Sequence, residues 1–291
     1  MRYIFLIRAH HWVKNFFIFI PAFFAGVLFQ FNEIIILTQG FCCFCLASSA
    51  VYILNDYLDI STDKLHPVKK NRPLASGKIN PRFALTLMVV LTIGCLGWAW
   101  FLSFQFLLLI AVYLIVNIGY SFGLKDIPLL DVFLVSSGFM IRTISGGVLA
   151  GVFVSQWLII MVFLLSLLLA FAKREQDLIL ANGSGGAANL RKSCRQYSIE
   201  YIHICLSLVA GVIMVAYIMY TVSDEVKLRI GENYLYLTSV FVFAGILRYL
   251  QITLVKHDGG SPTRIFLTDR FIQITIAGWV TTFFVTLYWI Q

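Results

Sequence analysis

Nine runs of apolar residues, each long enough to cross a bilayer as a helix, set the terms for this chain. They cover about 12 to 31, 35 to 54, 83 to 102, 104 to 122, 129 to 151, 155 to 172, 201 to 222, 233 to 254 and 271 to 290. A crossing helix needs roughly 20 mostly apolar residues, because the hydrocarbon layer is about 30 Å thick and each residue rises about 1.5 Å. No water is available there for backbone N–H and C=O groups, so only helices or closed barrels cross. The period-two alternation and short strands of a barrel are absent. With 60% hydrophobic and 12% charged residues, the 291-residue chain has too little polar surface to cover a soluble globule. The predicted fold class is therefore an all-α integral membrane protein, a single domain over residues 1–291 with nine transmembrane helices.

Arg2, Arg8, His10, His11 and Lys14 precede the body of the first run and mimic a secretory n-region. The run is long and no convincing small-residue cleavage site follows it, so it reads as a retained first helix. Cys42, Cys43, Cys45, Cys95 and Cys205 lie within runs. The C-x-x-C spacing inside "CCFC" reads as small buried hydrophobes rather than a redox or metal site. Cys194, in a loop, reads as a free thiol.

If nine spans alternate, the N-terminus and the loops after spans 2, 4, 6 and 8 share one side. Of 22 Lys and Arg, only Lys227 and Arg229 fall on the other side and Arg142 and Arg248 within spans, which leaves 18 on the N-terminal side. The positive-inside rule makes that side cytoplasmic. Some of this charge can hold anionic headgroups. That account does not explain why 10 of the 14 acids gather on the same side.

The stretch "VYILNDYLDISTDKLHPVKKNRPLASGKI", residues 51 to 79, ends an apolar run with acids and continues with bases. On a helix, Asn55, Asp56, Asp59 and Asp63 fall within an arc of about 100°. Like charges three and four residues apart repel unless a cation sits among them. Oxygen ligands too few for a closed cage suit a Mg²⁺ that keeps waters and shares phosphate oxygens. Lys69, Lys70, Arg72 and Lys78 follow at once, and arginine suits bidentate phosphate contacts. His66 reads as orienting this loop. Together these residues predict a diphosphate site at the membrane surface; the alternative is a solvated helix end whose acids pair with Lys64, Lys69 or Lys70.

A second cluster follows span 4 in "YSFGLKDIPLLD", with Tyr120, Lys125, Asp126 and Asp131, and a third follows span 6 in "FAKREQDL", with Lys173, Arg174, Glu175 and Asp177. Singly each is weak, since helix ends commonly carry charge. Recurrence on one side predicts convergence on one polar, cytoplasm-facing cavity. Arg142 lies well inside the fifth run, where an arginine costs about 2.5 to 3.5 kcal/mol, so it should face an anion or a water-filled cavity. Gly146, Gly147 and Gly151 permit close helix packing. Arg248 is close enough to a helix end to snorkel. The loop "ANGSGGAANLRKS", with Gly183, Gly185 and Gly186, reads as a lid or a plain connector, and it lacks the P-loop pattern for ATP.

These residues also carry a resemblance. "NDYLDISTD" matches the NDxxDxxxD motif of the UbiA superfamily, nine-helix intramembrane enzymes that use Mg²⁺ and a diphosphate substrate. The longer "NDYLDISTDKLHPVKKNRPLASG", together with "HWVKNFFIFIPAFFAG", "YSFGLKDIPLLDVFLVSSGFMIRTISGG", "AFAKREQDL" and "RYLQ…TDR", resembles the decaprenyl-phosphate phosphoribosyltransferase family over nearly the whole chain. The resemblance implies transfer of 5-phosphoribose from phosphoribosyl pyrophosphate (PRPP) to a polyprenyl phosphate, with Mg²⁺ as cofactor, for a lipid-linked sugar donor of cell-envelope glycans. It implies Asn55, Asp56, Asp59 and Asp63 at the metal, Asp56, Asp59, Lys69 and Arg72 at the chemistry, and Lys14, Asn15, Lys69, Arg72, Tyr120, Lys125, Asp131, Arg142, Lys173 and Arg174 against substrate. Asp126 and Asp131 are five apart and depart from the DxxxD spacing of prenyl-transferring relatives, which puts a second carboxylate-bound Mg²⁺ in doubt.

The expected setting is the inner (cytoplasmic) membrane, with no nucleic-acid partner and self-association left open. Two rival readings remain. A prenyltransferase of the same fold would join prenyl diphosphate to an aromatic acceptor, and abundant Phe and Tyr would suit its carbocation. A transporter of phosphorylated lipid or small anions would use Arg142 and the basic mouth, but should carry charge at both ends of its path. The outward loops are short apart from "SDEVKLRIGENY".

Overall fold

A computed structural model of the protein describes residues 2–65, 69–183, 193–223, 226, 235–256 and 262–288, and among them every regular element is helical. The chain forms two compact units, Met1–Val154 and Ser155–Gln291. The first contains α1 (Arg2–Leu6), a 3-10 helix (Ala9–Phe19), α2 (Ile20–Phe24), α3 (Phe31–Leu58), α4 (Ile60–Leu65), α5 (Pro81–Leu102), α6 (Phe104–Ser121) and α7 (Leu130–Leu149). The second contains α8 (Gln156–Gly183), α9 (Ile199–Val222), α10 (Ser239–Leu250), which runs on as a π-helical turn (Gln251–Val255), α11 (Pro262–Thr268) and α12 (Arg270–Tyr288).

Seven helical stretches among the described residues are long and apolar enough to cross a membrane: α3, α5, α6, α7, α8, α9 and Leu235–Val255. The protein is an integral, multi-pass membrane protein, and α12 falls on the ninth predicted run. The first predicted run departs from expectation. Residues 12 to 31 do not form one continuous helix but a 3-10 helix, the short α2 and a turn through Gly26, whose φ is +74°. A 3-10 helix repeats every three residues. That period keeps Trp12, Asn15, Ile18 and Pro21 in one stripe, and Asn15, Ile18 and Pro21 are buried while His10, Val13 and Phe16 on another stripe are exposed. Pro21 lacks an N–H and stands second in α2, in the first turn, where that donor would have no partner within the helix.

In the first unit α3 is central, packing on α5, α6, α7 and the 3-10 helix, which also packs on α7. Phe44, Phe106, Ile110, Tyr113, Ile18 and Leu37 fill this core. Close approach of two backbones depends on Gly146 of α7, where a Cβ would overlap the Ile18 carbonyl of the 3-10 helix. In the second unit α8 packs on α9, and α10 packs on α9 and α12. Asn80 and Ser198 cap α5 and α9, accepting from the N–H groups of Arg82 at 2.9 Å and Tyr201 at 3.1 Å.

At 28 residues, α3 is about 42 Å long, more than the hydrocarbon layer requires. Its last turn, with Asn55 and Asp56, therefore reaches the polar boundary rather than ending in lipid. Of the cysteines expected inside spans, Cys43, Cys45 and Cys95 are at most 4% exposed while Cys42 and Cys205 are half-buried, and none of the six is in a disulfide. Cys194 is also buried. His66, Gly185, Gly186, Lys227, Arg229 and all of "SDEVKLRIGENY" except Ser223 and Val226 lie outside the described residues.

Candidate active site

The rim of the first unit is built where α3 gives way to α4. The chain pauses at Asp59 (φ −92°, ψ 7°). Backbone bonds from Asp59 N–H to Asn55 C=O (3.0 Å) and from Asp63 N–H to Asp59 C=O (2.8 Å) carry the helical course through the pause. Asp56 and Asp63, two turns apart, remain on one side. A single guanidinium nitrogen, Arg72 Nη1, donates to Asp56 Oδ1 at 3.1 Å and to Asp63 Oδ2 at 2.6 Å. Arg8 Nη2 donates to the same Asp56 oxygen at 2.5 Å. On the adjoining face Lys125 Nζ donates to Asp59 Oδ1 at 2.6 Å and to Asn55 Oδ1 at 3.3 Å, while Asn55 Nδ2 donates to Asp59 Oδ2 at 3.0 Å.

Three carboxylates are thus matched by three bases drawn from distant parts of the chain. The repulsion expected along this acidic face is real, and protein cations relieve it. The four oxygen-bearing side chains share one rim, but as two pairs: Asp56 with Asp63 through Arg72, and Asn55 with Asp59 through Lys125. Among the described residues no group of three or more His, Cys, Asp or Glu is arranged to hold a metal by itself. The donors are all hard oxygens, and Mg²⁺ typically takes one or two carboxylates and completes its shell with waters and substrate phosphates. The rim fits that kind of shared binding and not an all-protein cage.

The convergence predicted for the first two clusters occurs through Lys125, which reaches across 66 residues of sequence to Asp59. Lys69 is half-buried in a 3-10 turn, Lys69–Asn71, and its carbonyl accepts the Arg72 N–H at 2.9 Å, which helps aim Arg72 inward. Lys64, Lys70 and Lys78 are exposed. Tyr120 and Asp126 are half-buried, whereas Asp131, in the first turn of α7, is fully buried. The third cluster lies on α8 in the second unit. There Lys173 is exposed, buried Arg174 donates to Asp177 at 3.0 Å, and buried Glu175 meets His203 Nε2 at 2.8 Å.

Deeper in the first unit, Arg142 is 5% exposed. Its Nε donates to Asn15 Oδ1 (2.7 Å), its Nη1 to the Gly138 carbonyl (2.7 Å) and its Nη2 to the Tyr113 hydroxyl (2.9 Å). The guanidinium also lies over the Tyr113 ring at 4.7 Å and the Phe44 ring at 5.4 Å, contacts that favour a cation. Asn15 is held in turn by α3, donating to Cys45 Sγ at 3.3 Å and Ser48 Oγ at 3.5 Å.

Sequence reasoning missed Arg8, Tyr113 and His203. Arg8 adopts a left-handed conformation (φ +51°) at the start of the 3-10 helix, which costs a residue with a Cβ about 1–2 kcal/mol. The ion pair with Asp56 and the Tyr52 ring 5.0 Å beneath its guanidinium offset that cost. No local spacing links Arg8 to an acid 48 positions away. The signal for Tyr113 was a hydroxyl inside an apolar helix, which needs a partner when buried.

Comparison with known proteins identifies the family. The model of the UbiA prenyltransferase family matches residues 15–275. Among curated proteins, a decaprenyl-phosphate phosphoribosyltransferase of Mycolicibacterium smegmatis is 33% identical over 97% of this chain and 91% of its own length. One from Corynebacterium glutamicum is 31% identical over 97% of this chain and 85% of its own. Among solved structures, a UbiA homolog from Archaeoglobus fulgidus bound to GPP and Mg²⁺ superposes with a TM-score of 0.72 at 18% identity, covering 99% of both chains. At that identity the likeness speaks for the fold alone.

Proposed function

Because this chain belongs to the UbiA prenyltransferase family, in the branch of the decaprenyl-phosphate phosphoribosyltransferases, we propose that it transfers 5-phosphoribose from PRPP to a polyprenyl phosphate and releases pyrophosphate. Membership makes it a transferase. The relatives named for this reaction, similar over almost the whole chain, support the substrates. The observation that carries the reading is the ion-paired rim. Arg8, Arg72 and Lys125 rest on Asp56, Asp63 and Asp59, so bases and acids stand ready to exchange partners with a divalent cation and a pyrophosphate.

In this reading Asp56 and Asp59, with Asn55 and Asp63 beside them, would hold Mg²⁺. The ion would supply positive charge to the oxygens of the departing pyrophosphate. Arg72 and Lys125 move from carboxylate to phosphate oxygens, and Lys69 adds charge from the same loop. Arginine's fork suits two phosphate oxygens at once. As the bond from C1 of ribose to pyrophosphate breaks, C1 becomes cationic and a lipid phosphate oxygen closes on it from the other face. Fixed positive groups stabilise the charge that builds on the leaving group. The nucleophile needs no general base, since a phosphate monoester has a second pKa of about 6 and is already anionic at neutral pH. Acids held in ion pairs at the rim are consistent with that, because none is asked to accept a proton.

The lysine and arginine bias supports a rim on the cytoplasmic face of the inner membrane, where PRPP is soluble and the acceptor is lipid. The product would serve as a lipid-linked sugar donor for envelope glycans. Purified protein in nanodiscs should convert labelled PRPP and polyprenyl phosphate to a phosphoribosylated lipid, identified by mass, only with Mg²⁺. Transfer from prenyl diphosphate to an aromatic acid, without reaction of PRPP, rejects the reading.

A further inference from the structure

We infer that Ser49, together with Trp12, is a positioning residue for Arg8: it fixes the backbone on both sides of Arg8, so that the guanidinium can pass from Asp56 to the pyrophosphate while its Cα stays in place. This rests on the position proposed above for that leaving group. Arg8 joins α1 to the 3-10 helix in the left-handed region, at φ 51° and ψ 49°. Glycine takes that conformation without steric cost, yet the chain carries an arginine there. A residue in so sparsely populated a conformation persists only where its surroundings over-determine it.

Ser49 of α3 does this from below. Its hydroxyl donates to the Ile7 carbonyl at 2.9 Å and accepts from Trp12 Nε1 at 3.1 Å. Ile7 immediately precedes Arg8 and Trp12 follows it by four positions, so one side chain ties both ends of the segment that contains the strained residue. The Ile7 carbonyl lies just past the end of α1 at Leu6, where carbonyls have no partner within the helix and need one from outside. Ser49 is 1% exposed. Removing its hydroxyl would leave a carbonyl and an indole N–H without their partner, which is costlier than the loss of a solvated bond.

The rest of the support comes from the same helix. Ser49, Tyr52 and Asp56 are spaced by three and four residues and fall within an arc of about 60° on α3. Ser49 holds the backbone around Arg8, the Tyr52 ring lies 5.0 Å from its guanidinium, and Asp56 binds the far end at 2.5 Å. One face of α3 thus sets where the Arg8 side chain starts, what it rests on and where it ends. When Asp56 turns to Mg²⁺, Arg8 Nη2 is released from a backbone that remains tied, and the guanidinium pivots on the Tyr52 ring toward the phosphate oxygens. Ser49 precedes Asp56 by seven positions, roughly 10 Å along the helix, so it acts through Arg8 and not by touching substrate.

A double-mutant cycle tests this. Dissociation constants for Mg²⁺-pyrophosphate are measured in nanodiscs for wild type, Ser49→Ala, Arg8→Gln and the double variant, with thermal melting to verify that each is folded. Arg8→Gln is expected to weaken binding at least about tenfold, the scale of a hydrogen bond from a charged group, and Ser49→Ala about three- to tenfold, the scale of a neutral one. In the Arg8→Gln background Ser49→Ala should change binding less than about twofold, because nothing is left to aim. A merely structural serine would instead weaken binding equally in both backgrounds. That equal loss, unchanged binding in Ser49→Ala, or full affinity in Arg8→Gln overturns the inference. Should Ser49→Ala melt below the assay temperature, Trp12→Phe, which keeps a ring and removes the N–H, runs the same cycle with the same expected and refuting results. Pyrophosphate is the leaving group of PRPP and of a prenyl diphosphate alike and is not turned over. Failure of the PRPP assay therefore sinks the proposed reaction, while the cycle decides the role of Ser49 separately.

Discussion

Asp56 and Asp59 have the same proposed duty toward the metal and its pyrophosphate but different surroundings, and their asparagine variants should differ accordingly. The Asp56 side chain is 2% exposed and binds Arg8 and Arg72; Asp59 is 24% exposed and binds Lys125. Neutralising Asp56 leaves Arg8, 14% exposed, with the Tyr52 ring at 5.0 Å and no carboxylate. Arg72 keeps Asp63 at 2.6 Å. Stripping one partner from a fully buried pair costs about 3–5 kcal/mol. With Arg72 still paired and Arg8 partly solvated, about 2–3 kcal/mol is expected for Asp56→Asn. Asp59→Asn should cost less, no more than about 1 kcal/mol, because its carboxylate is the more exposed of the two and Lys125 keeps Asn55 at 3.3 Å. For a chain of this size each kcal/mol moves the melting temperature by roughly 2–4 °C. Asp56→Asn should therefore melt about 4–12 °C early and Asp59→Asn within about 4 °C of wild type, as read by thermal denaturation in nanodiscs. Both should lose PRPP turnover by at least about 100-fold, the scale of removing one group that stabilises a leaving group's charge. An Asp56→Asn protein that melts with wild type refutes the structural half of the reasoning. Full turnover by Asp59→Asn at saturating Mg²⁺ refutes the chemical half.

Chelation should stop transfer without lowering the melting temperature, because Arg8, Arg72 and Lys125 already balance the acids; a fall of several degrees in EDTA would show that a cation is structural. Gly146→Ala should cost about 1–3 kcal/mol or prevent folding, since the new Cβ meets the Ile18 backbone. Gly211→Ala, with nothing within 4 Å of its added Cβ, should be neutral or stabilise by up to about 1 kcal/mol, and the paired melting curves check both. Arg248 beside Asp269 holds that carboxyl below its ordinary range. A depressed carboxylate contributes stability above its unfolded value, about 3.9, and loses it as pH falls further. The melting gap between wild type and Asp269→Asn should therefore be constant from pH 8 to pH 5 and shrink below about pH 4. Asp269→Ala should cost about 1 kcal/mol more at neutral pH, because it also removes the cap on the Ile272 N–H, made at 3.0 Å.

The long helices were legible because a bilayer imposes a length and forbids unpaired backbone, so apolar run length alone marks them. The same uniformity hid the first segment. Between Trp12 and Pro21 nearly every side chain is apolar or aromatic, so a period of 3.0 cannot be told from 3.6 by where the polar residues fall. Asn15, which faces Arg142 on the same side as Ile18, does not separate the two either, since residues three apart share a face in both helices.

At the site, the spacing of Asn55, Asp56, Asp59 and Asp63 announced a concentration of negative charge and hence a demand for cations. It could not say which cations answer. Arg8 and Lys125 lie 48 and 66 positions from the acids they bind, and which distant base reaches an acid depends on how α3, α6 and the 3-10 helix pack. Arg142 was legible as an expense that needed a reason, while its pairing with Asn15 and Tyr113 was not, because nothing in an apolar run says which of its polar groups will meet. Local patterns reveal where charge is concentrated; its compensation is a property of the packed helices. That is why the acids of this rim could be picked out together along one stretch of sequence, and why their division into an arginine-bridged pair and a lysine-bridged pair appeared only in three dimensions.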